Sequence, residues 1–386
     1  MAVVVKPAPL GRIEALTGVR MLAAGAVFLS HATTIPAVPE RAQYFMAAGY
    51  NGVTLFFVLS GFVLAWNYTD RITTLAPRPI WSFLVARIAR VYPLYLVALL
   101  IVIAPLIATG SIDWSIWPHV FALQPWSPSV TDAFAFNRPG WSIGVEFFLY
   151  ACFPIVIVVL RRFSHRMLLW SLAIAVALVF AVTLWFVVTG RADLPATDPQ
   201  SPHRWLYRTP LSRLGDFTVG VIAALLIMRG RPAPAWAARA AQAVGLVAFI
   251  GLMAYRPLLY SAWSWDAAYL IPTFLLLWGL AAGPTTRFSR VLASKPMVLL
   301  GESSFAFYLL HTFVLDHMAV NGLDSLWGWV LVVAMQFLVA VFIAIGAHIA
   351  IERPAQKWLR RVFDPRRPVP VVPVTDVVTV EARQAP

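Results

Sequence analysis

Apolar blocks of roughly 17–25 residues recur along the chain, and a helix needs this length to cross the hydrocarbon core of a bilayer. Because a bilayer offers no water to the backbone amide and carbonyl groups, a spanning segment has to pair them internally, as a helix does. The sequence therefore predicts an all-α fold, a polytopic transmembrane helix bundle. About ten spans are predicted, at residues 15–35, 50–68, 91–109, 138–160, 167–189, 211–228, 236–254, 264–282, 297–320 and 325–351.

Composition and charge agree with a membrane protein. Of the 386 residues, 60% are hydrophobic and 12% are charged, about half the charged fraction of a typical soluble protein. The net charge of +13 could indicate a nucleic-acid partner, but the cations lie in short clusters between apolar blocks, as they do in cytoplasmic loops. We therefore expect no nucleic-acid partner, both termini in the cytoplasm, and a multi-pass protein of the cell (plasma) membrane.

The chain divides into three parts by composition. We expect a cytoplasmic N-terminal segment at 1–14, a transmembrane domain at 15–353, and a disordered cytoplasmic tail at 354–386, where Pro, Val and Arg occur without periodicity. Residues 112–126 are apolar but too short to span, so we expect a re-entrant or interfacial segment on the outer side. The polar, proline-rich stretch 190–210 is also expected outside.

The first span contains "RMLAAGAVFLSH", with an ionisable residue at each end. Arg20 and His31 are about three helical turns apart, so they point to nearly the same face, about 16 Å from each other along the axis. An ionisable group inside a membrane costs at least about 2.5–3.5 kcal/mol and usually lines a cavity or pathway. The alternative is that Arg20 extends to the lipid headgroups and His31 lies at the interface.

Three further ionisable residues are predicted near the same two depths. Arg87 and Arg90 lie on one face of the helix that enters from the cytoplasm, with headgroup contact as the alternative. Glu146 lies about two turns into the fourth span from the outer side, at a depth similar to that of His31. A carboxylate beside an imidazole fixes its tautomer and raises its basicity, so Glu146 is predicted to pair with His31.

Several short motifs occur in a fixed order: "RMLAAGAVFLSH", "NGVTLFFVLSGF", "RIARVYPLY", "WSIGVEFFLY", "RLGDFTVG", "GESSFAFYLLH" and "IERP". Through these motifs, over residues 12–354, the chain resembles the acyltransferase-3 family of integral membrane acyltransferases. The resemblance implies ten helices and transfer of an acyl group, often acetyl, from coenzyme A on the cytoplasmic side. It also implies a hydroxyl acceptor on a sugar, a lipid or an outward-facing glycan.

The family's site residues map onto this sequence through the same motifs. Its essential arginine and histidine of the first helix correspond to Arg20 and His31. Its Arg-x-x-Arg pattern corresponds to Arg87 and Arg90, and its conserved glutamate to Glu146. Some relatives carry an additional esterase-like domain after the last helix. Since this sequence ends soon after "IERP", we expect it to act on its acceptor without one.

A mechanism follows from these residue types. Guanidinium groups bind phosphates in a fork, so the inner arginines are predicted to hold the phosphates of acyl-CoA, with acetyl-CoA as the expected donor. His31 then takes the proton of the attacking hydroxyl, while Glu146 orients the imidazole ring. No histidine spacing typical of a metal site occurs, so no metal is expected. The candidate donors for the oxyanion, chosen by depth alone, are Asn51, Trp141 and Ser142.

Two residue pairs have open roles at this stage. Tyr308 and His311 lie on one face of the ninth span and serve either the site or helix packing. Arg213 and Asp216, three positions apart, are interpreted as a local ion pair.

Serines and tryptophans are similarly ambiguous. Ser303 and Ser304, near the inner end of the ninth span, either touch the donor or hydrogen-bond helices together. Tryptophans in the outer segments either stack on an acceptor sugar or form the interfacial aromatic belt. These are Trp114, Trp117, Trp126 and Trp205.

The main alternative function is a membrane transporter or channel, in which the intramembrane Arg, His and Glu would form a substrate or proton path. Only the enzyme needs coenzyme A, so release of its free thiol separates the two hypotheses. Within the enzyme class the acyl length stays open. The acceptor also stays open among a cell-envelope glycan, a glycolipid and a secreted small molecule such as a macrolide.

Overall fold

The chain folds into helices joined by loops. A computed structural model describes residues 10–111, 114–230, 233–283, 285–319 and 324–364, with the backbone alone for 10–13, and no strand occurs among them. The α-helices are α1 (Leu10–His31), α2 (Glu40–Ala47), α3 (Gly52–Tyr68), α4 (Pro77–Ala108), α5 (Ile116–Val120), α6 (Val130–Phe134), α7 (Trp141–Leu160), α8 (His165–Val188), α9 (Pro210–Arg229), α10 (Ala235–Ala254), α11 (Ala267–Ala282), α12 (Arg287–Leu292), α13 (Lys295–His317), α14 (Leu326–Ala347) and α15 (Arg353–Phe363). Tighter or wider turns, of the 3₁₀ or π type, lie at Ala48–Asn51, Gln124–Trp126, Arg138–Gly140, His203–Arg208, Arg256–Leu258 and His348–Glu352.

Many of these helices are long and apolar enough to cross a membrane. In the part of the chain that the structure describes, eight segments meet this requirement by length and composition; they contain α3, α4, α7, α8, α9, α10, α13 and α14. Helices α1 and α11 occupy the predicted first and eighth spans, and α11 is apolar but has only 16 residues. The all-α polytopic bundle is thus confirmed, whereas the number of ten spans and the inward-facing termini stay predictions.

A glycine allows α1 and α13 to pack with their backbones in contact. A Cβ atom at Gly301 would lie 2.0 Å from the carbonyl oxygen of Thr17, so only glycine fits there. Further along the same pair, His31 lies beside His311. Because the residue numbers rise together in both helices, α1 and α13 run parallel, and this register brings the two imidazoles together.

The contact between α3 and α9 is equally close. A Cβ atom at Gly220 would lie 1.8 Å from the carbonyl oxygen of Val58, and one at Gly61 would lie 2.0 Å from that of Phe217. Small residues let membrane helices approach in this way, which increases the van der Waals contact between them. This contact matters because the hydrophobic effect does not drive helices together within lipid. The packing buries the polar N-terminal half of α9 inside the bundle.

A buried charge cluster lies in that half of α9. Arg213 contacts the carboxylates of Asp216 at 2.8 Å and Asp266 at 3.0 Å, and all three side chains are at most 2% exposed. Arg213 also donates hydrogen bonds to the carbonyl oxygens of Tyr207 and Trp265. The predicted local pair of Arg213 and Asp216 is confirmed. Asp266, which precedes α11, adds a second carboxylate that the sequence spacing gave no reason to expect.

The C-terminal segment differs from the expected disordered tail. Residues 353–363 form helix α15, whose cations and apolar residues fall on opposite sides, and this pattern is too short for periodicity to reveal. The helix is held against the start of α4: Trp81 Nε1 donates to the carbonyl oxygen of Phe363 at 3.0 Å, and Ser82 donates to Asp364 at 2.6 Å. The predicted tail beyond 364, like most of the predicted N-terminal segment, lies outside the described residues.

The short apolar stretch expected on the outer side forms local structure. It contains α5 and the turn Gln124–Trp126, while residues 112–113 lie outside the described part. Tyr92 of α4 donates to the carbonyl oxygen of Val120 at 2.7 Å, which ties this segment to the bundle.

Candidate active site

Three arginines from two helices surround one cavity, which we call the inner cavity. It is lined by Arg20 of α1, Arg87 and Arg90 of α4, and Glu146 and Tyr150 of α7, among others. The predicted arginine cluster thus forms, because the parallel and crossing helices bring residues 20, 87 and 90 to one space. Such a group of guanidinium ions is suited to binding an anion with several phosphate oxygens.

The arginines of the inner cavity have few partners of their own. Arg20 Nε donates to Ser304 Oγ at 3.2 Å, and Arg87 Nη2 donates to the Tyr68 hydroxyl at 3.2 Å. Within the described residues none of the three arginines has a carboxylate within salt-bridge distance, and Arg87 Nε is buried without a hydrogen bond. Cations held inside a protein without a counter-ion are costly, and an anionic ligand would offset that cost.

His31 lies at the other end of α1, exposed to a second space that we call the outer cavity. Its Nδ1 lies 2.9 Å from the carbonyl oxygen of Val27 and 3.4 Å from Nε2 of His311. His311 is completely buried, and its own Nδ1 lies 2.7 Å from the carbonyl oxygen of Tyr308. The second imidazole of the "GESSFAFYLLH" motif is therefore a direct neighbour of the first.

These contacts assign the tautomers of both rings. A carbonyl oxygen only accepts, so the nitrogen facing it, Nδ1 in His31 and in His311, carries the hydrogen. Nε2 of His311 then has a free lone pair directed at His31, and Nε2 of His31 has no proton. The arrangement leaves His31 Nε2 available as a base, with its ring held by its own helix and by α13.

Glu146 is not brought to His31, which corrects the predicted pair. It accepts a hydrogen bond from the Tyr150 hydroxyl at 2.7 Å and lines the inner cavity with the arginines. The depth comparison failed because α1 ends at His31 itself, whereas Glu146 lies more than one turn inside α7. The partner of His31 is His311, and Glu146 belongs to the arginine end.

A third space, which we call the middle cavity, lies between the other two. It shares Arg20 and Glu146 with the inner cavity, and it shares Val53 and Tyr308 with the outer cavity. The three spaces therefore have common walls and form a line from the arginines to His31. Tyr308, whose role the sequence left open, stands at the junction of the middle and outer cavities.

The remaining candidates have mixed outcomes. Trp141 lines the outer cavity and Ser142 lines the middle cavity, so both predicted oxyanion donors lie along the line of cavities. Asn51 is buried, and its side-chain amide donates to the carbonyl oxygen of Ala48 at 3.0 Å. Ser304 orients Arg20, whereas Ser303 donates only to carbonyl oxygens of its own helix.

The outer cavity also has aromatic walls that sequence reasoning missed. The four tryptophans considered from the sequence are absent from its lining, and Trp114 is 82% exposed. Its rings come instead from four separate segments, so no spacing in the sequence could reveal them. They are Tyr50, Phe134, Trp141, His203, Tyr207, Tyr260 and Trp265, in addition to Tyr308 and His31.

One of these rings makes the protein's stability dependent on pH. Burial, together with the nearby cations Arg208 and Arg213, lowers the pKa of His203 from 6.5 to about 4. The unfolded chain therefore binds more protons than the fold between pH 6.5 and pH 4. The stabilising effect is complete above pH 6.5 and is lost as the pH falls towards 4.

At pH 5 we expect this effect to have lowered the free energy of unfolding by about 2 kcal/mol relative to neutral pH. The loss should be absent in His203→Gln, because glutamine does not titrate. Thermal unfolding at pH 7.5 and pH 5 checks it: the melting temperature of the unmodified protein should fall more than that of the variant. An equal fall in both proteins would show that His203 is protonated as easily in the fold as in water.

Comparisons with known proteins identify the family of this chain. The family model described as an acyltransferase domain matches residues 13–349. Acyltransferase MdmB of Streptomyces mycarofaciens is 31% identical, over 96% of this chain and 97% of its own length. Exopolysaccharide production protein ExoZ of Rhizobium meliloti (strain 1021) is 26% identical, over 82% of this chain and 92% of its length.

A further relative is longer than this chain. The putative O-acetyltransferase SACOL0978 of Staphylococcus aureus (strain COL) is 21% identical over 79% of this chain, and the match spans 51% of that relative. No solved structure matches the chain significantly. The family match across nearly the whole bundle, together with the identity to acyltransferase MdmB, shows that this chain belongs to the acyltransferase-3 family and is a multi-pass membrane O-acyltransferase.

Proposed function

We propose that this enzyme moves an acyl group, in the first instance acetyl, from acyl-CoA to a hydroxyl of a sugar, glycolipid or cell-envelope glycan at the plasma membrane. The observation that carries the proposal is the line of three adjoining cavities. It begins at three arginines that make no salt bridge within the described residues, and it ends at an imidazole with a free Nε2. A transporter could use the same path and imidazole but has no need of coenzyme A, so release of the free thiol separates the two functions.

The inner arginines bind the phosphates of the donor. Arg87 and Arg90 lie one turn apart on α4, and Arg20 faces them from α1, so their guanidinium groups surround the anion from two sides. The distance along α1 from Arg20 to His31 is about 16 Å, which is long enough for the flexible arm of coenzyme A.

His31 acts as the general base. As the hydroxyl oxygen attacks the thioester carbonyl, His31 Nε2 takes its proton, and the Nδ1 hydrogen stays bonded to the Val27 carbonyl and His311. The new C–O bond forms and the C–S bond breaks. His31 then returns the proton to the departing thiolate, so the products are the ester and free coenzyme A, and the imidazole is neutral again.

Glu146 remains part of the proposed machinery, with a role at the donor end. Its carboxylate lies between the inner and middle cavities and accepts the hydrogen bond of Tyr150. There it offsets part of the arginine charge and keeps Tyr150 beside the path of the donor's arm. A carboxylate in this place favours release of the anionic product over indefinite retention.

Replacing Arg87 by alanine tests the donor site. We expect about a tenfold or larger loss of affinity for acetyl-CoA, since a charge-assisted hydrogen bond contributes about 1.5–3 kcal/mol, with turnover at saturating donor changed less than twofold. Binding is measured by titration calorimetry and turnover by thiol release. Arg78→Ala, an exposed position at the start of the same helix, serves as the control and should leave both unchanged. Unaltered donor affinity with reduced turnover in Arg87→Ala would refute the phosphate-binding role.

A further inference from the structure

The aromatic walls of the outer cavity form a cluster of rings around His31's open side. Tyr50 and Tyr260 are stacked with their centroids 5.5 Å apart, and Tyr260 is stacked on Trp265 at 5.7 Å. Trp141 and Tyr207 continue the wall, with centroids 4.8 Å apart. The cavity has a volume of about 190 Å³, against about 30 Å³ each for the inner and middle cavities. The space next to the base is therefore the largest of the three and is lined by aromatic rings.

Tyr260 stands at the mouth of this space in an unusual conformation. Its φ is +60°, in the left-handed region that side chains other than glycine rarely adopt, and its side chain is 56% exposed. Packing alone explains neither the positive φ nor the exposed ring. Glycine would adopt this φ without strain, and a polar side chain would suit the exposed position better than a tyrosine. Strained residues that keep a particular side chain cluster at ligand sites.

His203 supplies a second, independent observation. It lines the cavity, is 8% exposed and packs on Trp265 with centroids 4.8 Å apart. In the described part of the chain its buried Nδ1 has no hydrogen-bond partner. A neutral imidazole offers one N–H donor and one lone pair, which together match a hydroxyl group that both donates and accepts.

Charge indicates what kind of molecule the cavity accepts. Arg138 lines the outer cavity, but both oxygens of Asp316 already bind its Nη2, at 2.6 and 2.7 Å. The other polar side-chain groups in the lining are hydroxyls, imidazoles and indole N–H groups. The cavity therefore offers flat apolar faces and neutral hydrogen-bonding groups, and a sugar ring presents the same two features: C–H faces and hydroxyls.

We propose that the outer cavity binds one uncharged sugar ring of the acceptor, with Tyr260 and Trp265 as its aromatic platform and His203 as a hydroxyl-binding residue. This inference rests on the proposed function, in which the hydroxyl that is acylated lies at His31. The site contacts the sugar ring itself and not the glycan chain or lipid tail attached to it. The same site can therefore bind a free glycoside, the end of a glycan or the headgroup of a glycolipid.

The test measures thiol release from acetyl-CoA by the full chain in lipid nanodiscs, which avoids glycoside detergents. The acceptors are methyl glycosides of common hexoses and 6-deoxyhexoses, maltohexaose as a glycan, octyl β-glucoside as a tailed glycoside, and 1-propanol as an alcohol without a ring. At least one glycoside should accelerate release with saturation, and 1-propanol should not. The kind of glycoside with the highest kcat/KM shows whether the acceptor ring belongs to a free glycoside, a glycan or a glycolipid.

Variants of Tyr260 separate binding from packing. Tyr260→Phe keeps the platform and should retain the kcat/KM of the best glycoside within about twofold. Tyr260→Gly removes the platform and should lower that kcat/KM about tenfold, while the affinity for acetyl-CoA, which the inner cavity binds, stays unchanged. Trp114→Ala, exposed on the same side but outside the cavity, is the matched control and should change nothing.

Three outcomes would overturn the inference. Equal acceleration by 1-propanol and the glycosides shows that the site does not recognise a ring. Parallel losses in glycoside transfer and in affinity for acetyl-CoA for Tyr260→Gly, with a lower melting temperature, show a structural role only. No thiol release from the unmodified enzyme with any acceptor or with water refutes the proposed function itself, and this inference with it.

Discussion

Replacing His31 by alanine should lower acyl transfer by about 10²–10⁴-fold, the range that a positioned general base contributes, while the affinity for acetyl-CoA stays the same. The two effects separate because His31 lies at the outer cavity and the arginines line the inner one. Transfer is followed by thiol release and by mass spectrometry of the acylated product. Donor affinity is measured on the same preparation by calorimetry.

His317→Ala is the matched control for this experiment. His317 lies at the outer end of α13, is exposed, and binds only the carbonyl oxygen of Phe313. Its loss should leave transfer unchanged, which excludes a general effect of removing an outer histidine. If His31→Ala transferred acyl groups at the normal rate, the hydroxyl would have to be deprotonated by another group, and the assignment of the base would be wrong.

Replacing Arg213 by leucine should destabilise the protein by about 3–5 kcal/mol and leave little folded material after purification. The change removes the cation that both Asp216 and Asp266 contact, and so it leaves two buried carboxylates without a counter-charge. The hydrogen bonds to the carbonyl oxygens of Tyr207 and Trp265 are lost as well. Thermal unfolding and the monodisperse fraction in size-exclusion chromatography measure the effect.

Asp266→Asn is the informative counterpart. The cluster has one guanidinium for two carboxylates, so removing one negative charge while keeping a similar shape should change stability by less than about 1 kcal/mol. A strongly destabilised Asp266→Asn together with a stable Arg213→Leu would contradict the charge balance described here. The pair of variants therefore tests the electrostatics of the cluster rather than its packing.

The membrane architecture was predictable from the sequence because spanning a bilayer imposes one length and one backbone solution. Within the described residues, eight of the predicted spans coincide with segments long and apolar enough to cross a membrane, and α1 and α11 lie at the other two predicted positions. The buried pair of Arg213 and Asp216 was predictable as well, since residues three apart on a helix are neighbours. These are local properties, and local properties can be read from spacing.

Contacts between distant segments were not predictable in the same way. The position of Glu146 was misjudged because the end of α1 was placed a few residues too late, and a shift of one turn moves a side chain by about 5 Å. The neighbour of His31 is His311, 280 positions later, and the rings of the outer cavity come from helices, short turns and a loop that lie far apart in the chain. Helix α15 escaped notice because a few residues cannot establish a period.

The side-by-side course of α1 and α13 has a consequence for which donors the enzyme can use. Both ends of the proposed donor path lie on this one pair of helices, with Arg20 bonded to Ser304 and His31 in contact with His311. Neither end can slide towards the other without separating backbones that already touch. Donors should therefore be selected by reach: a thioester with a truncated pantetheine arm would be anchored by its phosphates and yet stop short of the imidazole, whatever acyl group it carries.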